Sequence, residues 1–316
     1  QCPRSPQRSP HRMSEPEANH QALDWRADYL MLGALWGASF LFMRMGAAEF
    51  GPLATAWLRV CIATLMLFPL MVWQGHLDVF KANWKLVLGF GVINSAIPFA
   101  LYAYAVLHIS TGLSSILNAT VPLFAALVAW LWLGDRLTRW RMAGLVIGLL
   151  GVSLLANYQT TFNNDANPDA SSWGQHTAIA ACLLATVCYA IAGSFNKKYM
   201  PNLPALVSAT GSQFGASVAL TVPALFALPE TMPGAQAWGS VFMLGVACTG
   251  IAYVLFFRLV NRAGPAKALT VTFLIPVFAL IYGVIFLGET VTLMMLLLGM
   301  LVILGTALSS GLWPKK

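Results

Sequence analysis

Charge is scarce in this chain. Charged residues make up only 9% of its 316 residues, whereas hydrophobic residues make up 58%. A soluble domain usually carries about 25% charge, so the polar residues could not cover a water-soluble globule of this size. The mean hydropathy of +0.71 agrees. The shortage of charge therefore excludes a soluble protein and predicts that most of the surface contacts the lipid bilayer.

The sequence also lacks the motifs of several functional classes. It has no G-x-x-x-x-G-K-[ST] phosphate loop and no H-E-x-x-H spacing, which argues against ATP hydrolysis and against a metalloprotease site. None of its five cysteines forms a C-x-x-C pair, so no disulfide framework is expected. No Ser, His and acid set gathers at one membrane face. We expect no enzymatic activity, no cofactor, no metal and no nucleic-acid partner.

Long apolar runs are abundant instead. Each has about the 20 residues that a hydrocarbon layer of ~30 Å requires, and backbone groups in lipid must bond within their own segment, which predicts helices. The sequence therefore predicts an all-α polytopic membrane protein with ten transmembrane helices. The predicted helices cover residues 29–48, 54–74, 85–107, 111–133, 140–158, 175–198, 203–226, 238–260, 266–288 and 291–312.

The basic residues predict the orientation. With a cytoplasmic N-terminus, sixteen of the 18 lysines and arginines fall in inside segments and none in outside loops. The remaining two, Arg44 and Arg59, fall inside predicted helices. This asymmetry follows the positive-inside rule, so we expect a multi-pass protein of the cell (inner) membrane with both termini in the cytoplasm.

Polar stretches divide the chain. Residues 1–27 are expected to form a disordered tail, and Met13 resembles a start site, so that 1–12 would be upstream translation. Residues 159–173 are polar and aperiodic and are expected to form an external linker. They separate a first half, 28–158, from a second half, 174–313.

The two halves repeat at an offset of 154 residues. Pro122 then falls on Pro276, and Leu133-Gly134-Asp135 falls on Leu287-Gly288-Glu289. Each half has an odd number of helices, so the second must enter the membrane inverted. Inverted repeats are a recurring device of secondary transporters, with the substrate site between the halves. Chance alignment of apolar helices is the alternative.

Arg44 and Arg59 are the first site candidates. A charge at the centre of a membrane helix costs at least ~2.5–3.5 kcal/mol, so it usually faces a cavity. Trp36, Phe40 and Arg44 form one stripe on helix 1, which suits an organic substrate with an anionic group. We expect the two arginines to form a cationic element near the outer mouth. The alternatives are that the arginines snorkel to the headgroups, and that the stripe serves ordinary helix packing with an interfacial anchor.

Prolines mark three further positions. Pro98, Pro122 and Pro276 each free the carbonyl four residues earlier, and those residues are polar. Such bends can present both carbonyl and side chain to a cavity, although local repair of the helix is the alternative. The polar residues at the three bends are Asn94, Asn118 and Thr272, and the other candidates for the lining are Tyr102, Tyr189, Gln213 and Tyr253.

These residues together resemble the drug/metabolite transporter superfamily, and within it the ten-helix EamA family. The match rests on Trp36-Gly37-x-x-Phe40-x-x-x-Arg44, on Arg59 followed by small residues, and on the proline and Leu-Gly-acid motifs of both halves. It covers residues 28–312. Asp135 stands where the family typically has glutamate.

The resemblance implies a permease, often an exporter, of small organic metabolites such as amino acids. It implies a cavity lined by helices 1–4 and 6–9, with helices 5 and 10 at the periphery. The alternatives are a non-transporting membrane sensor or scaffold, and an integral membrane enzyme acting on lipids. The substrate, the direction, the coupling ion and the oligomeric state stay open.

Overall fold

The computed structural model describes residues 15–162 and 172–311, and within them it contains helices and turns but no strands. Eight helices in these ranges are long and apolar enough to cross a membrane. The first, Trp25–Trp73, has 49 residues, more than twice what one crossing requires. Gly51 interrupts it with φ 75° and ψ 167°, a conformation that favours glycine. We therefore count it as two crossings.

The last apolar helix has 17 residues and spans about 25 Å at ~1.5 Å per residue. Counting this helix as a crossing, and the divided first helix as two, raises the eight spans to the predicted ten. The number ten depends on these two assignments. The helices are helix 1 (25–50), helix 2 (52–73), helix 3 (Trp84–His108), helix 4 (Thr111–Leu133), helix 5 (Arg139–Thr161), helix 6 (Trp173–Tyr199), helix 7 (Ala205–Phe226), helix 8 (Ala235–Ala263), helix 9 (Lys267–Leu287) and helix 10 (Leu293–Ser309). A short helix, Leu77–Ala82, connects helices 2 and 3.

The expected tail and the expected linker both differ from the observed structure. The continuous helix that contains helices 1 and 2 begins at Glu15, inside the expected tail 1–27, because Glu15, Pro16 and Glu17 suit a helical first turn. Residues 1–14 lie outside the described range. The expected linker 159–173 is shorter, since helix runs to Phe162 and resumes at Ser172. Gln159 is buried, which keeps that last turn packed.

The offset of 154 residues recurs in the local structure. Helices 3 and 8 each contain a π-helical turn, and the two turns begin at Val92 and Val246. Helices 4 and 9 both end on a left-handed glycine, Gly134 and Gly288. The threonines that cap the next helices, Thr138 and Thr292, obey the same offset. The halves therefore share irregular backbone features as well as residues.

The contacts between the two halves also follow the repeat. Helix 1 packs against helices 8 and 9, and its counterpart, helix 6, packs against helices 3 and 4. Helix 2 packs against its counterpart helix 7, and helix 5 packs against helix 10. In that last pair Gly305 lies on the Gly148 backbone, while Gly151 faces Val302. Each contact between two helices thus recurs between their repeat counterparts, as a two-fold arrangement requires.

The two ends of the bundle differ in charge. One end, which we call the basic end, carries Arg136, Lys197 and Arg258 where helices 4, 6 and 8 finish. The other, the acidic end, carries Glu49 and Glu289 where helices 1 and 9 finish. The large buried cluster that includes Phe40, Tyr102 and Leu117 lies between the halves.

Candidate functional site

Arg59 lies at the centre of the bundle and is buried, with 5% of its surface exposed. Its Nε donates to the Thr249 hydroxyl at 2.9 Å, and its guanidinium carbon stands 3.8 Å from the centre of the Phe99 ring. A cation over an aromatic face is attracted by the ring quadrupole. Among the described residues, no carboxylate forms an ion pair with it. In the part of the chain that the structure describes, the site therefore holds a buried cation without a counter-ion.

The π-helical turn of helix 8 positions the acceptor for Arg59. Thr249 lies within the turn Val246–Ile251, and its hydroxyl donates to the Leu244 carbonyl at 2.7 Å. With its proton used in that bond, the hydroxyl oxygen presents a lone pair to the guanidinium. Gly245 lies against Ile62 and the Arg59 carbonyl, so helices 2 and 8 approach closely there.

A second polar cluster connects helices 3 and 7. Gln213 Nε2 donates to the Ser95 hydroxyl at 3.0 Å, and Ser95 and Ser212 lie 2.7 Å apart. Asn94 donates to both serines, at 3.3 and 3.0 Å. The Tyr253 hydroxyl lies beside this group. Asn94 and Ser95 belong to the π-helical turn Val92–Ala96, a type of irregularity frequent at functional sites.

One hydrogen-bond acceptor of this cluster has no partner among the described residues. Gln213 is fully buried, and among the described residues its Oε1 has no hydrogen-bond partner. The same holds for the Tyr102 hydroxyl. A buried polar atom without a partner is costly, by about 1–3 kcal/mol. These two atoms therefore indicate places where a bound molecule could be recognised.

Aromatic side chains form the wall next to Arg59. The Phe40 and Tyr102 rings meet edge-to-face at 5.6 Å, and Tyr102 stacks on Tyr189 at 6.3 Å. Tyr189 in turn lies near the Arg59 guanidinium. On the other side, Tyr253 stacks on Phe257 at 6.0 Å. Trp36 lies further along helix 1, against Phe256 at 5.6 Å.

Arg44 does not join Arg59, which differs from the expected cationic element at the outer mouth. Its guanidinium donates to the carbonyls of Val106 and Ile109, where helix 3 ends at the acidic end. A cation is favourable there because the last carbonyls of a helix are unpaired. Arg59 instead contacts Thr249, at the midpoint of helix 8. The two arginines are therefore at different depths.

The proline bends lie where helical geometry changes. Pro98 follows the π-helical turn of helix 3, Pro122 follows the break at 119–120, and Pro276 follows the 3-10 turn Thr270–Phe273. Of the three polar residues before them, Asn94 alone joins the cluster around Gln213. The Thr272 hydroxyl donates to the Leu269 carbonyl at 2.8 Å. Asn118 is half-buried at the end of the helical segment Thr111–Asn118.

A cavity of about 390 Å³ opens at the basic end, between helices 2, 7 and 8. Phe257 lines it and stacks on Tyr253, so the cavity reaches within one helical turn of the central cluster. At its rim Asp28 pairs with Arg258 at 2.9 Å and Arg262 at 3.0 Å. The lining residues are Leu70, Gln74, His76, Pro204, Ala205, Leu206, Val254, Phe257, Arg258 and Asn261.

Two carboxylates accept hydrogen bonds from the starts of helices at the acidic end. Glu289 accepts from the Thr111 backbone N–H at 2.7 Å, from the Thr111 hydroxyl at 2.9 Å and from the Gly112 N–H at 3.3 Å. Glu49 accepts from the Gly234 N–H at 2.6 Å. Carboxylates at helix N-termini are stabilised by the helix dipole. These bonds join the end of helix 9 to helix 4, and the end of helix 1 to helix 8.

Sequence reasoning missed Ser95, Phe99, Ser212 and Thr249. Polar hydroxyls and phenylalanine are common in membrane helices, so composition alone does not distinguish them. The 154-residue offset held a signal for Phe99 alone, because it pairs Phe99 with the candidate Tyr253. It also pairs Ser95 with Thr249, but neither was a candidate.

Known proteins resemble this chain over most of its length. The uncharacterized transporter YvbV of Bacillus subtilis is 25% identical, covering 85% of each chain. The inner membrane transporter YedA of Escherichia coli is 23% identical over 89% of this chain and 90% of its own. A probable amino-acid metabolite efflux pump of Salmonella typhimurium is 25% identical over 87% and 91%.

A solved crystal structure shares the fold, with a TM-score of 0.63 at 16% identity, covering 92% of this chain and 97% of that one. The profile of the EamA-like transporter family matches twice, at residues 27–157 and 176–311. The two matches fall on the two halves that the offset and the packing define. A membrane-spanning bundle with this duplicated match belongs to the EamA-like transporter family, and the protein is a polytopic membrane transporter.

Proposed function

We propose that this transporter is a secondary exporter, which moves small organic metabolites with an anionic group, such as amino acids, across the inner membrane by alternating access. The observation that carries the proposal is the buried Arg59 between the halves, which has no ion-pair partner among the described residues. Holding a charge away from water costs several kcal/mol. A substrate carboxylate would offset that cost, because it can accept from the guanidinium nitrogens that Thr249 leaves unused.

The differences between the two ends support alternating access. In this proposal the bonds from helix 4 to Glu289 close the acidic end, while a cavity reaches toward the site from the basic end. The repeat partner of Glu289 is Asp135, which here pairs with Lys197 at 2.9 Å. If each half adopted the conformation of the other, Glu289 would be released and Asp135 would lie at the start of helix 9. This exchange gives a second state, open at the acidic end.

The positive-inside rule supports the direction of access. It assigns the basic end to the cytoplasm, so the cavity beside Phe257 would receive substrates from inside the cell. Export also agrees with the relative that is named an amino-acid metabolite efflux pump. The proposed termini are cytoplasmic for the same reason.

Cells with and without the gene provide the test. Each strain receives toxic amino-acid analogues and dipeptides, and both growth and the intracellular amino-acid pool are measured. We expect the transporter to lower the pool and protect growth, and Arg59→Ala to abolish both effects at equal membrane expression. Arg44→Ala should act more weakly, since Arg44 contacts backbone carbonyls at the acidic end. Equal pools in all strains would contradict the proposal, and a growth phenotype without efflux would favour a sensor.

A further inference from the structure

Arg59 and Gln213 occupy equivalent positions in the two halves. They lie 154 residues apart, the offset that also relates the prolines, the capping threonines and the π-helical turns. Arg59 lies on helix 2 and Gln213 on helix 7, the two helices that pack against each other across the two-fold relation. The repeat therefore places a cation and a neutral amide at matching points of one site.

The contacts of Arg59 and Gln213 are equivalent under the same offset. Arg59 bonds Thr249 on helix 8, and Gln213 bonds Ser95 on helix 3; Thr249 and Ser95 are themselves 154 residues apart. The aromatic neighbours follow the same rule, because Arg59 lies over Phe99 and Gln213 lies beside Tyr253. Two environments with one geometry thus hold two different polar groups.

The glycines behind both environments repeat as well. Gly245 faces the Arg59 carbonyl, and its counterpart Gly91 faces the Ser212 carbonyl, next to Gln213. A side chain at either glycine would collide with the facing helix. The close approach of helix 2 to helix 8, and of helix 7 to helix 3, therefore sets both polar groups at corresponding heights.

Arg59 and Gln213 differ in the kind of chemical group that each can bind. A guanidinium offers donors only, so Arg59 suits an anion. Gln213 uses its amide nitrogen on Ser95, and its carbonyl oxygen is a fully buried acceptor without a described partner. An acceptor in that condition suits an N–H or O–H donor, and the nearby tyrosine faces also tolerate a cation.

We infer that Gln213 is a second recognition point and a specificity-determining residue, whose Oε1 accepts a hydrogen bond from a donor group of the substrate while Arg59 holds its carboxylate. The inference rests on the proposed function and adds the requirement for a donor. It selects molecules that carry a carboxylate and an N–H group together. A carboxylate whose amino group is replaced by a carbonyl would leave the Gln213 oxygen unpaired and should bind about tenfold more weakly or worse.

Purified protein in proteoliposomes tests this requirement. Uptake of a radiolabelled amino acid is inhibited with the unlabelled amino acid, its N-acetyl derivative and its 2-oxo acid. For the wild type we expect the two N–H compounds to inhibit at least about tenfold more strongly than the 2-oxo acid. Gln213→Leu should reduce that ratio to near one, mainly through weaker inhibition by the N–H compounds. Inhibition by the free amino acid alone would identify the donor as an ammonium group.

A double variant keeps the test informative if Gln213→Leu does not fold. Arg59→Gln with Gln213→Arg exchanges the two groups between equivalent environments, so it should recover at least a tenth of the uptake that Arg59→Gln alone loses. An unchanged inhibition ratio in folded Gln213→Leu, or no recovery in the folded double variant, would overturn the inference while leaving the proposed function intact. Absence of carboxylate transport by the wild type would overturn both.

Discussion

Glu289 and Thr111 belong to opposite halves, and the Glu289 carboxylate accepts from both the backbone N–H and the hydroxyl of Thr111, at 2.7 and 2.9 Å. The repeat partner of Glu289, Asp135, pairs with Lys197, and both side chains of that pair are substantially exposed, at 42% and 63%. An exposed pair contributes about 0–1 kcal/mol, whereas bonds from a helix N-terminus to a carboxylate are stronger. The contact between the halves is therefore firmer at the acidic end than at the basic end.

Removal of this cap should open the acidic end. Glu289→Ala loses charge-assisted bonds worth about 1.5–3 kcal/mol each before relaxation, which predicts at least a tenfold faster reaction of a buried cysteine there with an impermeant maleimide. Leu113→Cys in a background without native cysteines supplies the probe, because Leu113 is fully buried near the cap.

Two controls accompany this measurement. Glu230→Ala removes an exposed acid from the loop before helix 8 and should leave the labelling rate unchanged. Asp135→Ala should not increase labelling, since it weakens the state that is open at the acidic end. Equal labelling rates for Glu289→Ala and the parent protein would contradict the proposal that the Glu289 bonds close the acidic end.

Thr249 should control how Arg59 binds an anion. Thr249→Val keeps the shape of the side chain but removes the acceptor of the Arg59 Nε–H, so the guanidinium loses its fixed orientation. We expect the half-saturating concentration for a carboxylate substrate to rise about tenfold. Thr249→Ser retains the hydroxyl and should restore most of the affinity. Identical affinities for the valine and serine variants would show that this bond does not orient Arg59.

Asp28 should stabilise the basic end. Its side chain is 5% exposed and pairs with two arginines, so Asp28→Asn leaves a buried neutral amide between cations. We expect the unfolding temperature in detergent to fall by several degrees, as for a loss of about 1–2 kcal/mol. Asp78→Asn, in the exposed connecting helix, is the matched control. Equal melting of both variants would argue against a structural role for this pair.

Gly305 should be required for the packing of helices 5 and 10. A Cβ at this position would meet the backbone of Gly148, so Gly305→Ala forces the two helices apart. We expect a lower unfolding temperature and lower expression. Gly193→Ala is the control, because open space surrounds that position and alanine favours helix there. Equal stability of the two variants would contradict the close approach.

Much of this architecture could be predicted from the sequence. Hydrophobic length and charge alternation determine where helices cross, and the spacing of Pro122 and Pro276 revealed the repeat. Arg59 stood out because a charge is costly within a membrane helix.

The partners of these residues could not be predicted in the same way. A helical stripe joins Trp36, Phe40 and Arg44, but it does not say which neighbouring helix each one faces. Arg44 in fact meets the carbonyls at the end of helix 3, and Trp36 meets Phe256 of helix 8. The π-helical turns also leave no hydrophobic periodicity to detect, so the placement of Ser95 and Thr249 required the three-dimensional structure.

Counterflow of a radiolabelled amino acid into proteoliposomes, with purified wild type, Arg59→Lys and Arg59→Gln, tests the central role of Arg59 most directly. Arg139→Gln, at the start of helix 5, is the control for loss of a positive charge. We predict that Arg59→Gln lowers the initial rate about a hundredfold, as expected when a buried ion pair loses one partner, that Arg59→Lys retains part of it, and that Arg139→Gln matches the wild type. Wild-type rates for a folded Arg59→Gln protein would contradict the assignment of Arg59 as the anion contact of the transport site.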